Sequence, residues 1–415
     1  MILSRSLRAN RNFSYSETLF HHLMIGMGES YFAAFALALG LSESKASWLT
    51  SVPVGIGALL QFLTLKFLAH TKNHKWLVTW MALIQALVFL PLMWLALTVR
   101  GHFSVLTIVI SLYWFAAFSY GPAWNYWISK ILGGSESRSF FAHRSRLQQL
   151  GIFCGLIGAG YLLKMGSTYL SQMHLFIFVF ACAAFFRLLS VVALLNHDYQ
   201  KQWSENVPSK SIRESIQLFW RKKERRNFFL SLVPFTFCIH LTAPLVHPYL
   251  LKQVKLPYDQ YSLVVAALLI GKVISTFIIQ NKFSHWEPKK LLFLGAIGAA
   301  PLPIFWALSE NFYFMCLLQI FSGATWVFYD VGLSLYFYSD LNDEEKVVMF
   351  TSYNALNSFA ILAGGYAGSH ILHYLGETKS SYYLMFLSGG VIRGLVALLV
   401  RQKNLRSSSE PLLRS

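Results

Sequence analysis

The sequence predicts an all-α polytopic membrane protein, with twelve transmembrane helices in two pseudo-symmetric six-helix bundles. Three observations predict it. The 415 residues are 55% hydrophobic and 16% aromatic with only 13% charged, far from the make-up of a soluble domain. Apolar runs of about 20 residues, long enough to cross a hydrocarbon core, follow one another along the chain. Features of the first half also return in the second at a nearly constant offset.

The first run, 17–40, follows a basic segment and contains "GMGESYF" (26–32), whose one charge is Glu29. Its basic lead is that of a signal peptide, but no small-residue cleavage site follows its apolar core, so it reads as a retained span. Runs at 46–68, 76–98, 104–128, 140–164 and 172–195 complete a first bundle over 1–195. The longest connection, 196–226, contains "SIRESIQLFWRKKERR", with Ile212, Ile216 and Phe219 at i, i+4 and i+7 ahead of a basic cluster. That pattern suits an amphipathic helix lying on an anionic inner leaflet; a solvated linker is the plainer alternative. Runs at 227–250, 260–281, 289–309, 312–338, 347–374 and 381–400 build a second bundle over 227–400, leaving a cytoplasmic tail over 401–415.

Little remains between the spans, so there is no room for a soluble catalytic domain and no enzyme activity is expected. No nucleotide-binding loop of the form G-x-x-x-x-G-K-[ST] is present, which argues against ATP hydrolysis. No cofactor is expected, and a proton gradient is the expected driving force. Cys154, Cys182, Cys238 and Cys316 all fall inside spans without paired spacing and read as packing residues.

The net charge of +17 comes from 35 Lys and Arg against 18 Asp and Glu. With the N-terminus cytoplasmic, the N-terminal segment, the even-numbered connections and the tail hold 26 of the 35. The opposite side holds Lys45, Arg100, Lys164, Lys252, Lys255 and Lys379. Such an imbalance over short loops orients the chain with both ends in the cytoplasm, so the basicity is a topology signal and requires no nucleic acid. Arg187, Lys272 and Arg393 lie within spans.

Four pairs of features recur about 205 to 215 residues apart. "LAHTKNHK" (68–75) matches "FSHWEPKK" (283–290), and "SYGPAW" (119–124) matches "SGATW" (322–326). Gly151 and Gly155 match Gly364 and Gly368, and "FFRLLSVVALL" (185–195) matches "VIRGLVALLV" (391–400), aligning Arg187 with Arg393. Twelve spans in two repeated halves, with a long basic central connection, resemble the major facilitator superfamily over the whole chain. That family's motif after the second span, approximately G-x-L-x-D-R-x-G-R-K, survives only in its basic end. Lys66 stands at the first Gly, His70 at the Asp, Asn73 at the second Gly, and His74 and Lys75 keep the basic character. In the second copy His285 stands at the Asp and Pro288 at the Gly, before Lys289 and Lys290. Both acids are replaced, which counts against a charge relay in these loops and leaves His70 and His285 as structural, gating positions.

The resemblance implies that spans 1, 4, 7 and 10 line a central cavity, with sites near the bilayer midplane. Only two carboxylates lie deep in spans, Glu29 and Asp330, and both are on those helices. An intramembrane acid is costly and therefore a functional candidate by default. Glu29 sits about 18 Å into its span at 1.5 Å per residue, where it suits proton coupling, or a structural hydrogen bond to a neighbouring helix. Asp330, beside Tyr329 and nearer the cytoplasmic end, fits a proton or substrate role or a gate. His240 and His247, seven apart in "CIHLTAPLVHPYL", share one face if the helix is regular, and the repeat offset puts His240 near the counterpart of Glu29. Pro234, Pro244 and Pro248 loosen that helix.

Trp114, Tyr120, Trp124, Asn125 and Trp127 in span 4, and Trp326 and Tyr329 in span 10, supply aromatic and polar groups for a substrate cavity. Trp127 and Tyr329 suit the membrane interface equally well. Lys272, without a charged counterpart in the first half, pairs with Asp330 or meets an anionic group. Arg187 and Arg393, about two turns from the cytoplasmic ends of their spans, brace each half or snorkel inward, and Asn354 and Asn357 are expected to join helices by amide hydrogen bonds. Gly26 and Gly28 thin the first helix beside Glu29 and give access to it. The pairs Gly151/Gly155 and Gly364/Gly368 permit close helix approach; the resemblance implies that they do so where the two halves slide.

The function these readings support is secondary active transport of a small organic solute by alternating access, coupled to protons through Glu29. A divalent-metal transporter using Glu29, His240, His247 and Asp330, and a membrane-embedded enzyme such as an acyltransferase, are the alternatives. The expected partners are a small-molecule substrate and the lipid bilayer, with no nucleic acid, and the chain is expected to be a monomer in a bacterial inner membrane.

Overall fold

The structure is a computed structural model that describes residues 2–61, 63–64, 73–99, 101–132, 137–198, 217, 220–221, 223–338 and 343–409. Every regular element among them is helical. That is how an apolar chain satisfies its own backbone where lipid offers no hydrogen bonds. The chain divides into two compact units, Met1–Ser209 with Pro257–Ser262, and Lys210–Leu256 with Leu263–Ser415.

In the first unit, α1 (Ile2–Met27) begins well before the apolar run and is followed by α2 (Phe32–Ala38), α3 (Glu43–Leu49) and α4 (Val52–Leu60). Next come α5 (His74–Leu87), α6 (Phe89–Thr98), α7 (Phe103–Leu132), α8 (Ser137–Met165) and α9 (Gln172–Leu195). Side chains of Ser42 and Asn73 cap α3 and α5 by accepting from Lys45 N and Trp76 N, so donors left over at helix starts are satisfied. Val99, at φ 50°, closes α6 in a left-handed conformation. Helix α1 packs on α8 and α9, α4 packs on α7, and α5 packs on α7 and α9.

The second unit begins with α10 (Lys223–Thr242), whose path continues through a 3-10 turn at Ala243–Leu245, one turn at Val246–Pro248 and a π turn at Tyr249–Gln253. Pro244 cannot donate to a helical ladder and its ring crowds the carbonyl one turn back, so the helix breaks there. After it come α11 (Tyr258–Ile278), α12 (Pro288–Ala299), α13 (Leu302–Trp306), α14 (Phe312–Tyr338), α15 (Asp343–Tyr374) and α16 (Lys379–Ser409). Here α10 packs on α15 and α16, and α12 packs on α14. These contacts repeat those of α1 with α8 and α9, and of α5 with α7, so each unit is built on the same plan.

Nine stretches of described helix are long and apolar enough to cross a membrane. The expected spans 17–40, 46–68 and 347–374 are not among the nine. The first is interrupted at Gly28, and the second breaks between α3 and α4. The third is one continuous helix whose hydropathy is diluted by Asn354, Asn357 and several Ser. All three are largely helical where described, consistent with the count of twelve. Side chains such as Leu97, Ile108, Leu317 and Tyr313 are about two-thirds or more exposed, an outer surface that suits lipid. The expected surface helix around 212–219 lies almost wholly outside the described residues.

Candidate functional site

Glu29 owes its position to a break in the first helix. Gly28 takes φ −98° and ψ −70°, and Glu29–Tyr31 form a 3-10 turn before α2 resumes. The Glu29 side chain is half-buried, and its Oε2 accepts a 2.7 Å hydrogen bond from the Tyr113 hydroxyl on α7. Tyr113 is fully buried, with its hydroxyl also 3.5 Å from Met24 Sδ and its ring edge-on to Phe32. Gly26 and Gly28 do not open access to Glu29 as the sequence suggested. A Cβ on Gly26 would run into Ile152 O, and would lie 2.7 Å from Leu156 N, on α8. A Cβ on Gly28 would lie 2.5 Å from the Phe89 ring. Both glycines serve tight packing.

Further back along the first helix is Glu17, which the sequence reading passed over and which is 0% exposed. Glu29 and Asp330 are therefore not the only deep carboxylates. The Tyr120 hydroxyl donates to Glu17 Oε1 at 2.6 Å, and Arg144 Nη1 donates to Oε2 at 2.7 Å. Arg187 Nη1 stands 3.8 Å from Oε1, and His21 Nδ1 is 3.5 Å from the same oxygen. Arg144 also donates to the Ser14 carbonyl and hydroxyl, and its guanidinium lies 3.6 Å from the Trp124 ring centroid. Arg187 donates to Gln85 Oε1 and Ser190 Oγ. Sequence reasoning missed Glu17 because it stands at the edge of the apolar run, and Arg144 because it was counted among cytoplasmic charges. The signal available was Ser14, Glu17 and His21 at helical spacing, had α1 been extended toward the N-terminus.

Several of these groups, His21, Gln85, Tyr120, Trp124 and Arg144, line one cavity of about 570 Å³ in the first unit. It brings together Glu29, Trp114, Tyr120, Trp124 and Asn125 with Tyr113, His22 and Arg144. His22 Nδ1 donates to the Thr18 carbonyl at 2.7 Å, since a carbonyl only accepts, which leaves Nε2 of the neutral ring as an acceptor. Trp127 is buried in the packed core around α5 and α7 and does not line the cavity.

A cavity of about 460 Å³ in the second unit brings together His240, Trp326, Tyr329 and Asp330 with Asn354 and Asn357. Asp330 is exposed to it, and Thr236 donates to Asn357 at 2.7 Å, a bond between α10 and α15. Lys272, on α11, interacts electrostatically with Asp330 but does not line the cavity. His247 lies beyond the helix break, so the one-face relation to His240 that a regular helix would impose is lost. Arg393 is buried and donates to the carbonyls of Ala299 and Ile239 and to Thr242 Oγ1, a brace inside its unit as Arg187 is in the other. His285 is exposed before α12, and His70 lies outside the described residues.

The glycine pairs have partners within their own units. Gly151 and Gly155 face Leu19, Leu23 and Gly26 of α1, and Gly364 and Gly368 face Phe237 and Leu241 of α10. Their expected place between the two halves is corrected accordingly: they let helices of one unit approach closely.

Residues 228–412 match the sequence pattern of the Major Facilitator Superfamily. No curated protein matches the chain by sequence. Among solved structures, a mutant form of the nucleoside transporter NupG is similar over 94% of this chain and 99% of its own, with a TM-score of 0.75 and 14% identity. A bacterial homologue of the human lysosomal transporter Spinster is similar over 97% of this chain and 98% of its own (TM-score 0.66, 12% identity). A POT family transporter in complex with a thioalcohol-conjugated peptide is similar over 96% of each (TM-score 0.67, 12% identity).

Proposed function

Because the chain folds as a major facilitator superfamily transporter and carries that superfamily's sequence pattern over residues 228–412, we propose that it moves a small organic solute across a membrane by alternating access, with Glu29 carrying the coupled proton. One observation carries the reading: a carboxylate at the break in the first helix faces a cavity of about 570 Å³ walled by aromatic and polar side chains. An acid held there by a neutral donor, Tyr113, changes charge state at less cost than one locked between cations, as Glu17 is. On this reading the membrane is a bacterial inner membrane, and the skew of Lys and Arg supports an orientation with both ends in the cytoplasm. Among the described residues no group of three or more His, Cys, Asp or Glu has metal-site geometry, so no observation favours the metal reading.

The test is proton influx into reconstituted vesicles containing a trapped pH dye, with solutes added outside. The similar structures make nucleosides and short peptides the first to try. Solute-dependent influx is expected for the native protein and is expected to vanish in Glu29→Gln while the variant keeps its thermal stability. Unchanged proton-coupled uptake in Glu29→Gln would sink the proposal.

A further inference from the structure

Among the described residues, the first-unit cavity offers a ligand acceptors, the neutral polar side chains of Asn125, Ser145 and Gln148, and aromatic faces, but no Arg or Lys that it can reach. Its acceptors include the Glu29 carboxylate, whose hydrogen-bond donor is Tyr113, and His22 Nε2. Half-buried Trp114 supplies a flat apolar face in the same lining. The one Arg or Lys in the described lining is Arg144, and it is sealed: 4% exposed, bonded through Nη1 to Ser14 and Glu17, and laid over Trp124. Arg187 gives the buried cluster a surplus positive charge, but at 0% exposure, bonded to Gln85 and Ser190, it stays out of a ligand's reach. An anion entering this cavity would lose its hydration and face Glu29 without a counter-ion, and the neutral donors of Asn125, Ser145 and Gln148 do not replace one. A hydrogen-bond donor gains a charge-assisted bond to Glu29, and a cation gains the aromatic face as well.

We propose that this cavity takes its solute in an uncharged or cationic form, with an N–H or O–H donor on Glu29 and a flat apolar face on Trp114, and that it rejects anions. The inference rests on the transport reading for the use of the site, but the charge preference itself is an equilibrium property that needs no gradient.

Matched ligand series on the purified full-length protein test it by thermal unfolding. The indole series is tryptamine, tryptophol and indole-3-acetate; the benzene series is phenethylamine, 2-phenylethanol and phenylacetate; the nucleoside series is adenosine and adenosine 5′-monophosphate. In at least one series the amine or the neutral alcohol is expected to raise the unfolding midpoint, with the anionic member at least about tenfold weaker. Which arm responds separates a cationic from a neutral solute. Glu29→Gln is expected to remove most of the preference and Glu29→Asp to retain it; should Glu29→Gln fail to fold, Trp114→Ala is expected to weaken the binding members about tenfold. An anion that binds as well as its partners, a panel in which no neutral or cationic member binds, a preference that survives Glu29→Gln, or, in the fallback arm, unchanged binding in Trp114→Ala overturns the proposal. Anion preference with Glu29-dependent proton uptake intact overturns this inference alone, whereas proton-coupled uptake that is unchanged in Glu29→Gln, with the charge preference intact, overturns only the transport reading.

Discussion

Glu17 shows how a single buried acid organises its surroundings. It sits where helices α1, α7, α8 and α9 converge, accepting from Tyr120 and Arg144 with Arg187 beside it. Neutralising it in Glu17→Gln leaves two buried guanidinium groups without their carboxylate. The expected loss is about 3 to 5 kcal/mol, read as a lower unfolding midpoint in detergent; an unchanged midpoint contradicts the role assigned here. His197 is a second residue-scale case, lying just past α9, outside the spans, between the rings of Phe13 and Trp127. Burial, with 2% exposure, pushes its imidazole down from 6.5 to about 4. The unfolded chain takes up a proton near pH 6.5 that the folded protein resists until about 4. The associated stability is therefore full above pH 6.5 and is lost as pH falls toward 4, by up to about 3 kcal/mol. Unfolding midpoints across about pH 7.5 to 4.5 are expected to fall less steeply in His197→Phe than in the native protein, and parallel curves contradict the assignment. At this scale the sequence exposes an isolated acid such as Glu29, because nothing near it in the chain competes for attention. It hides a compensated one, because Glu17 and Arg144 lie 127 residues apart and pair only through the fold.

Helix α1 and helix α8 approach so closely that main chain meets main chain. At Gly155 a Cβ would strike Leu23 O and come within 3.1 Å of Gly26 Cα, whereas at Gly158, three residues further along α8, it would meet nothing within 4 Å. The two glycines therefore answer oppositely to the same substitution. Gly155→Ala is expected to destabilise by about 1 to 3 kcal/mol through overpacking. Gly158→Ala is expected to be neutral or to stabilise by up to about 1 kcal/mol through helix propensity. Unfolding midpoints of the two variants decide it, and equal effects would contradict the packing account. The spacing of Gly151 with Gly155 announces a close approach in the sequence, but not which helix approaches, since that depends on topology. The broken helix after Thr242 was legible from Pro244 and Pro248; the break at Gly28 was not. No proline marks it, and only the Phe89 ring pressed against the glycine shows why the residue there is small.

The plan of the whole molecule is the most legible level because it is written redundantly, in apolar run length, in charge placement and in the repeat. Each of the two units carries the same internal contacts, α1 with α8 and α9 in one, α10 with α15 and α16 in the other. A shared fold at 12 to 14% identity to similar transporters shows how many sequences satisfy this plan. Orientation rests on the same coarse signal, and it makes a prediction at the two ends of α9. Ser167 and Asn196 are both exposed, the first before α9 and the second after it. Lys and Arg crowd the side to which Asn196 belongs, so their inward preference leads us to expect Asn196 in the cytoplasm and Ser167 outside. In a chain whose four native cysteines are replaced by Ser, Ser167→Cys is expected to react with a membrane-impermeant maleimide on intact cells. Asn196→Cys is expected to react only after the cells are opened, and the reverse pattern would invert the topology. Charge alone sets this outcome, so moving lysines across the membrane by substituting the loops around 166–171 should weaken it without touching either cavity.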